Sequence, residues 1–295
     1  MNTKLYANLH THSTHSDGVY TPEELVKIAK AEGYKALAIS DHDTATAYPE
    51  LKAACEKEGL ESIFAVEFSV PKPKGYHIVG FDFDPEYPPM KEYLAAMGER
   101  QTDNTKHCFE EAVENGNITG ITWEEVLEYN KGVIWLCNDH VFRAMEAKGL
   151  VERCHYAEWF DMNFAKQRAK YPPCRDFMEL KELVAMIKAA GGFAVVAHPH
   201  NQLDDIDFLI ECGVEGLEVW HSLMTPEERE RGLQIAKEKN LYISGGSDHE
   251  GLCGGMYLAF PDEEELKKSV FYIEPLSTGT TEEYFREIQT RKKNR

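Results

Sequence analysis

Three things are missing from this 295-residue chain: a long apolar run, a paired-cysteine motif and an excess of positive charge. No stretch approaches the roughly 18 consecutive apolar residues of a membrane helix, so no span is expected. Met1 to Leu9 carries neither the basic region nor the apolar run of a signal peptide, and a cytoplasmic protein is expected. The seven cysteines, Cys55, Cys108, Cys137, Cys154, Cys174, Cys212 and Cys253, are far apart and contain no C-x-x-C pair. That scatter argues for reduced thiols acting as small buried hydrophobes, and against a disulfide framework or a zinc knuckle. Only 32 basic residues face 51 acidic ones, for a net charge of −19. Such a surface repels a nucleic-acid backbone at long range, so duplex nucleic acid is not an expected partner. A small anionic substrate then needs local positive charge, which bound cations can supply.

What is present is an ordinary enzyme composition, 42% apolar, with enough chain to bury a substantial core. Short apolar runs alternate with helical patterns. Strands are expected at Tyr6–Leu9, Ala36–Ser40, Ser62–Val66 and Tyr76–Phe81. Between them lie a helix from Thr21-Pro22-Glu23-Glu24 to Gly33 and another over Ala45–Glu58, closed by Gly59. Thr21 and Glu24 form a capping box, and Pro22 suits the first helical position. From Pro85 to Pro173 no strand is evident. Amphipathic helices are expected there at about 88–114, 122–129, 139–148 and 152–168, framed by Pro88-Pro89 and Pro172-Pro173. The alternation then resumes with strands at Phe193–Ala197, Gly216–Trp220 and Leu241–Gly245, separated by helices over Asp205–Cys212 and Thr225–Lys239. A helix over Phe177–Ala190 precedes them, and a charged helical tail ends in Arg291-Lys292-Lys293. Seven strands mostly in βα units favour a parallel α/β barrel or a doubly wound sheet.

The residues beside the strand ends carry the chemistry. His10-Thr11-His12 and Asp17 follow the first strand, Asp41-His42-Asp43 the second and Glu67 the third. His77 opens the fourth strand or sits in the hairpin before it. His198-Pro199-His200, His221 and Asp248-His249-Glu250 follow the fifth, sixth and seventh. One histidine at a strand end is ordinary; a titratable group at every one is not. In a barrel these ends converge on one face. So many ionisable groups in one pocket are costly unless cations neutralise them. Imidazole and carboxylate without thiolate suit Mn²⁺, Zn²⁺ or Fe²⁺, and the donors outnumber one coordination sphere, so two or three divalent ions are expected.

Taken in order, His10-Thr11-His12 with Ser16-Asp17-Gly18, Ser40-Asp41-His42-Asp43, Glu67, His77-Ile78-Val79-Gly80, Ala197-His198-Pro199 and Gly246-Ser247-Asp248 resemble the motifs of the PHP (polymerase and histidinol phosphatase) domain. The resemblance implies a distorted seven-stranded α/β barrel of residues 1–84 and 174–295, with a small all-helical insertion over 85–173. It implies one metal site at His10, His12, Glu67 and Asp248. Glu67 bridges to a second ion held by His77 and His198, and Asp17 and His42 belong to a third. The family closes that third site with a histidine two positions after the aspartate. Here that position is Glu250, with His249 beside it, and either residue can complete the set.

A phosphoesterase follows from the resemblance, with a small phosphorylated substrate, possibly a nucleotide, and phosphate as product. His221, in Glu218-Val219-Trp220-His221, is suited to protonate the leaving group; a hydrogen-bonded histidine at a strand end is the competing role. Asp43 is suited to orient a ligand or to assist proton transfer. On the insertion, Asn138-Asp139-His140-Val141 is similar to an Arg-Pro-His stretch of the nucleotide-directed members. His140, Arg143 and Arg100 are therefore candidates to hold a second phosphate or roof the pocket, against a solvated helix face for the two arginines. Asn138 replaces the arginine and weakens a bisphosphate reading. The alternatives are an amidohydrolase-type hydrolase, disfavoured because no metal-bridging lysine stands at a strand end, a 5′–3′ exonuclease acting on short oligonucleotides, and a non-catalytic metal-stabilised PHP module.

Overall fold

The computed structural model describes residues 5–71, 75–152, 155–165, 177–249 and 278–291. Glu250, Cys154, Cys174, Cys253, the Pro172-Pro173 boundary and Lys292-Lys293 lie outside these residues. Eight strands are described: β1 (Ala7–Asn8), β2 (Ala36–Leu37), β3 (Glu61–Ser62), β4 (Ala65–Ser69), β5 (His77–Phe81), β6 (Phe193–Val196), β7 (Gly216–Trp220) and β8 (Tyr242–Gly245). The helices are α1 (Pro22–Ala31), α2 (Tyr48–Glu58), α3 (Pro88–Glu114), α4 (Trp123–Tyr129), α5 (Asn138–Ala147), α6 (Tyr156–Phe160), α7 (Leu180–Ala189), α8 (Ile206–Glu211), α9 (Pro226–Glu238) and α10 (Glu282–Arg291). Helix starts follow local chemistry: Thr21, Thr122 and Thr225 each cap through a full capping box. Gly59, at φ 76°, ends α2 in the left-handed conformation that glycine adopts without strain.

The strands form a parallel β1-β2-β3 sheet and a β4-β5-β6-β7-β8 sheet. Hydrogen bonds join the two at both margins. The Leu9 amide donates to the Gly245 carbonyl at 3.1 Å, and Asp248 to His10 at 2.9 Å. On the other side the Glu67 amide donates to Ser40 at 3.1 Å and Asp43 to Glu67 at 2.9 Å. The ring is thus a distorted barrel, with β3 and β4 as one interrupted strand.

Two expectations change. The third strand is not continuous over Ser62–Val66: β3 pairs with β2, and the chain then shifts at Ile63-Phe64 so that Ala65 pairs with Phe81. Glu67 consequently lies within β4 rather than after a strand. Nor is the barrel all parallel, because β5 runs antiparallel to both β4 and β6. The β4–β5 link spans only residues 70–76, too short for the crossover a parallel pair needs.

Period-two alternation divides the apolar residues between two layers. Ala65, Val79, Phe81, Phe193, Val195 and Ala197 share one cluster inside the ring with Ala7 and Ala36. Phe285 and Ile288 of α10 belong to that cluster and plug its lower end. Arg286 holds α10 in place through paired bonds to Glu61 at 2.7 and 2.8 Å. On the outer face, Val66, Phe68, Ile78, Val196, Leu217 and Val219 pack against Leu183, Val184 and Ile187 of α7. Each fully buried side chain of this kind contributes roughly 1.5–3 kcal/mol.

Helices α3 to α6 pack on a separate core that includes Phe109, Trp123, Phe142, Tyr156, Trp159 and Phe164. No strand interrupts them among the described residues. Helix α3, about 40 Å long at 1.5 Å per residue, joins the two cores. Its Met90 and Leu94 sit in the barrel's outer layer, and its Cys108 and Phe109 in the helical core. The cysteines among the described residues (Cys55, Cys108, Cys137 and Cys212) are free thiols, three of them buried. No described helix is long and apolar enough to cross a membrane.

Candidate metal centre

Glu67 points into the ring on the same face of β4 as Ala65, and five imidazoles surround its carboxylate. Oε2 lies 3.3 Å from His10 Nε2, 3.3 Å from His12 Nε2 and 3.1 Å from His42 Nδ1. Oε1 lies 3.0 Å from both His77 Nδ1 and His198 Nε2. Asp248 Oδ1 is 3.3 Å from His10 Nε2 and 3.0 Å from His12 Nε2. Asp17 approaches His12 Nδ1 at 3.4 Å and His42 Nε2 at 3.5 Å. The eight candidate ligands His10, His12, Asp17, His42, Glu67, His77, His198 and Asp248 therefore meet in one place.

The donor atoms fit divalent cations. Sets whose donor atoms lie close enough for one ion are His10–His12–Glu67–Asp248, His12–Asp17–His42 and His42–Glu67–His77, with His10–Glu218–His221 a fourth group at similar spacing. Oxygen and nitrogen ligands bound at about 2.0–2.2 Å to one cation lie roughly 3.0–3.5 Å from each other, which is the spacing seen here. His10 Nε2, His42 Nδ1, Glu67 Oε2 and His221 Nε2 are buried without a hydrogen-bond partner. Their close neighbours are near enough for ion pairing but poorly aligned for hydrogen bonding. An unsatisfied buried polar atom costs about 1–3 kcal/mol, and bound cations would relieve that cost at His10, His42 and Glu67.

The protein's own charges are strongly coupled at this point. Burial disfavours charge on Glu67, yet His10, His77 and His42 hold its carboxyl well below the usual range. Burial likewise opposes protonation of His10, but Glu218, Glu67 and Asp248 outweigh it and push the ring well above its ordinary value. For His42 burial wins over Asp17 and Glu67, and its pKa falls. Three residues here have left-handed backbones: Asp43 at φ 48°, His198 at φ 27° and Asp248 at φ 54°. Non-glycine residues hold such conformations only where the surroundings impose them, at about 1–3 kcal/mol each.

A cleft of about 270 Å³ opens over the centre, with Asp17, His42, Asp43 and His77 on its barrel side. Gln101, Trp135 and Asn138 face them from the helical segment. Asp43 is almost fully buried, and burial pushes its carboxyl up to about 7. His221 is placed differently. It is fully buried, does not line this cleft and lies 3.4 Å from Asp248 Oδ2. The Leu223 amide donates to its Nδ1 at 3.1 Å, leaving the proton on Nε2. Of the two residues considered for proton transfer, Asp43 is the one at the cleft.

His249 belongs to none of the donor sets among the described residues. Its carbonyl accepts from the His12 amide at 2.9 Å, and its ring lies 6.1 Å from that of Tyr20. Burial pushes its pKa down to about 4. Arg100 lies on the exposed side of α3 and does not line the cleft; its neighbour Gln101 does. The helical period turns the two residues to different faces. His140 and Arg143 dock the helical segment onto the loop after β1. His140 Nε2 donates to the Thr14 carbonyl at 3.1 Å, and Arg143 bonds the Gly18 carbonyl. Burial and Arg143 hold His140 well below its ordinary pKa, in keeping with a neutral ring that accepts the Cys137 amide at Nδ1.

Sequence reasoning missed Glu218, Trp135 and Gln101. Glu218 had a signal, since strand alternation turns it inward between Leu217 and Val219, which pack in the outer layer. Trp135, whose ring centroid is 6.0 Å from that of His42, lies in an irregular stretch and had none.

The PHP domain profile matches residues 8–192, and the chain belongs to that family. It is 31% identical over 268 residues to a 5′-3′ exoribonuclease of Haemophilus influenzae, covering 87% of this chain and 93% of that protein. It is 28% identical over 256 residues to a phosphoribosyl 1,2-cyclic phosphate 1,2-diphosphodiesterase of Eggerthella lenta, covering 84% and 95%. A solved structure from Bifidobacterium adolescentis, described as a metal-dependent phosphoesterase, superposes with a TM-score of 0.74 at 29% identity, covering 97% of this chain and 96% of the other. Family, fold and donor set together define a metal-dependent phosphoesterase.

Proposed function

We propose that this chain hydrolyses a phosphomonoester of a small metabolite, with a nucleotide as the favoured class. The observation that carries the reading is the division of Glu67 between two donor groups. One oxygen faces His10, His12 and His42, and the other faces His77 and His198. That arrangement suits two adjacent cations, with Asp17 and His42 offering a third position. When bound, close divalent cations supply a hydroxide nucleophile near neutral pH and offset the charge on the transferring phosphoryl group.

The chain's residues prepare the rest. Asp43, held at the cleft wall by the Ser69 amide at 3.4 Å, is positioned to hold or pass a proton. Gln101, Trp135 and Asn138 of the helical segment line the cleft opposite the barrel residues. A volume near 270 Å³ suits a compact substrate. Among the described residues no lysine lines the cleft, and Glu67 stands between the two donor groups instead, which disfavours the amidohydrolase alternative.

A second reading, 5′–3′ cleavage of short RNA, is favoured by the similarity to the Haemophilus influenzae exoribonuclease. One experiment separates them. Chelated protein is reloaded with Mn²⁺, Zn²⁺ or Fe²⁺ and assayed on p-nitrophenyl phosphate, nucleoside monophosphates, RNA trimers, and amide and lactone substrates. Turnover of monoesters that is lost on chelation and restored by metal supports the proposal. Faster cleavage of trimers supports the second reading, and turnover of amides or lactones alone overturns both.

A further inference from the structure

We infer that Glu218 is a positioning residue that sets both His10 and His198 toward the metal centre. It deepens the metal reading above and rests on it. Glu218 is only 1% exposed, in β7, and reaches two candidate ligands carried by different strands. Its carboxylate lies 3.1 and 3.3 Å from His10 Nδ1 and accepts the His198 amide at 2.8 Å.

The two nitrogens of His10 face opposite ways. Nε2 points at Glu67 and Asp248, while Nδ1 points at Glu218. A carboxylate on Nδ1 fixes the proton there and leaves the Nε2 lone pair for a cation, raising its basicity. Glu218 also lies within ligand distance of His10 and His221. That set does not suit an ion of its own, because His221 Nδ1 already accepts the Leu223 amide and its Nε2 carries the proton.

The second contact acts on the backbone. His198 holds φ 27°, a conformation histidine rarely adopts, and the bond from its amide to Glu218 stabilises it there. That conformation turns the ring so that Nε2 sits 3.0 Å from Glu67 Oε1. One buried carboxylate thus holds a histidine on each side of the Glu67 bridge, and so the spacing of the two donor groups.

The test compares wild type with Glu218→Gln, Glu218→Ala and Leu217→Ala. Leu217 neighbours Glu218 on the same strand but packs in the outer layer, so its variant reports lost packing alone. Mn²⁺ affinity and stoichiometry are measured by equilibrium dialysis with elemental analysis, and melting is followed on metal-free protein. Glu218→Gln keeps the volume and one oxygen able to take both the 3.1 and the 2.8 Å contacts. It removes the charge behind the basicity of His10 and turns an NH2 group toward Nδ1 in place of the oxygen now 3.3 Å away. Its Mn²⁺ affinity is expected to fall about 10–100-fold, Glu218→Ala further still, while Leu217→Ala melts lower with unchanged affinity. Wild-type affinity in both Glu218 variants that fold overturns the inference and leaves the metal reading standing. A wild type that takes up no divalent cation overturns both.

Discussion

Replacing Glu67 by Gln keeps the length and shape of the side chain and removes its charge. The wild-type carboxylate presents two equivalent anionic oxygens, one within 3.1–3.3 Å of three imidazole nitrogens and the other 3.0 Å from two more. A glutamine offers one neutral oxygen, and its amide group turns hydrogens toward whichever donor set it faces. One unit charge interacting with another at 4 Å, at the effective dielectric near 20 that suits protein sites, is worth about 4 kcal/mol. At 1.36 kcal/mol per decade, losing even one such term lowers cation affinity about a thousandfold. Because Glu67 is shared, the loss falls on both donor groups, so stoichiometry and affinity drop together. Equilibrium dialysis against Mn²⁺, with circular dichroism to confirm folding, reads both. A folded Glu67→Gln protein that binds the wild-type number of ions at wild-type affinity refutes the bridging role.

Other substitutions probe the surroundings. A Cβ on Gly246 would lie 2.3 Å from His10 Cβ, so Gly246→Ala is expected to displace β1 and abolish metal uptake. Gly232→Ala, whose nearest contact is an ordinary 3.5 Å, should leave uptake unchanged, and elemental analysis of both checks this. His140→Ala leaves the Cys137 amide and the Thr14 carbonyl without a partner. A loss of about 1–3 kcal/mol in denaturant unfolding is expected, with metal content retained; unchanged stability would show that this bond does not dock the helices. Phe142, fully buried in the helical core, should cost about 3–5 kcal/mol on Phe142→Ala in the same assay.

Acid stability tests the barrel's lower end. Hydrogen bonds from Arg286 hold the Glu61 carboxyl down to about 2, below its ordinary 4.5. A depressed carboxyl stabilises the fold above pH 4.5 and loses that contribution as pH falls from 4.5 toward 2. Solvent screening at this half-exposed pair limits the effect to about 1 kcal/mol. Glu61→Gln should flatten the pH dependence of melting across that window, and an unaltered profile would rule the pair out.

Much of this chain is written locally. Capping boxes at Thr21 and Thr225 fix helix starts from four adjacent residues, and period-two runs such as Tyr76–Phe81 mark strands whose faces follow automatically. Titratable residues beside the strands identify the centre, because only a shared pocket with cations makes so many buried charges tolerable. Local sequence could not reveal which strand pairs with which. The change of partner at Ile63-Phe64 and the antiparallel setting of β5 depend on loop length and sheet closure, properties of the whole ring. The same holds for side-chain roles that depend on direction. Arg100 faces outward while Gln101 faces the cleft, His221 sits beneath Asp248, and Glu218 reaches two histidines from distant strands. Residue type and spacing determined what chemistry is possible here; only the packed tertiary structure, which sets where each side chain points, decided which residues stand at the reacting face.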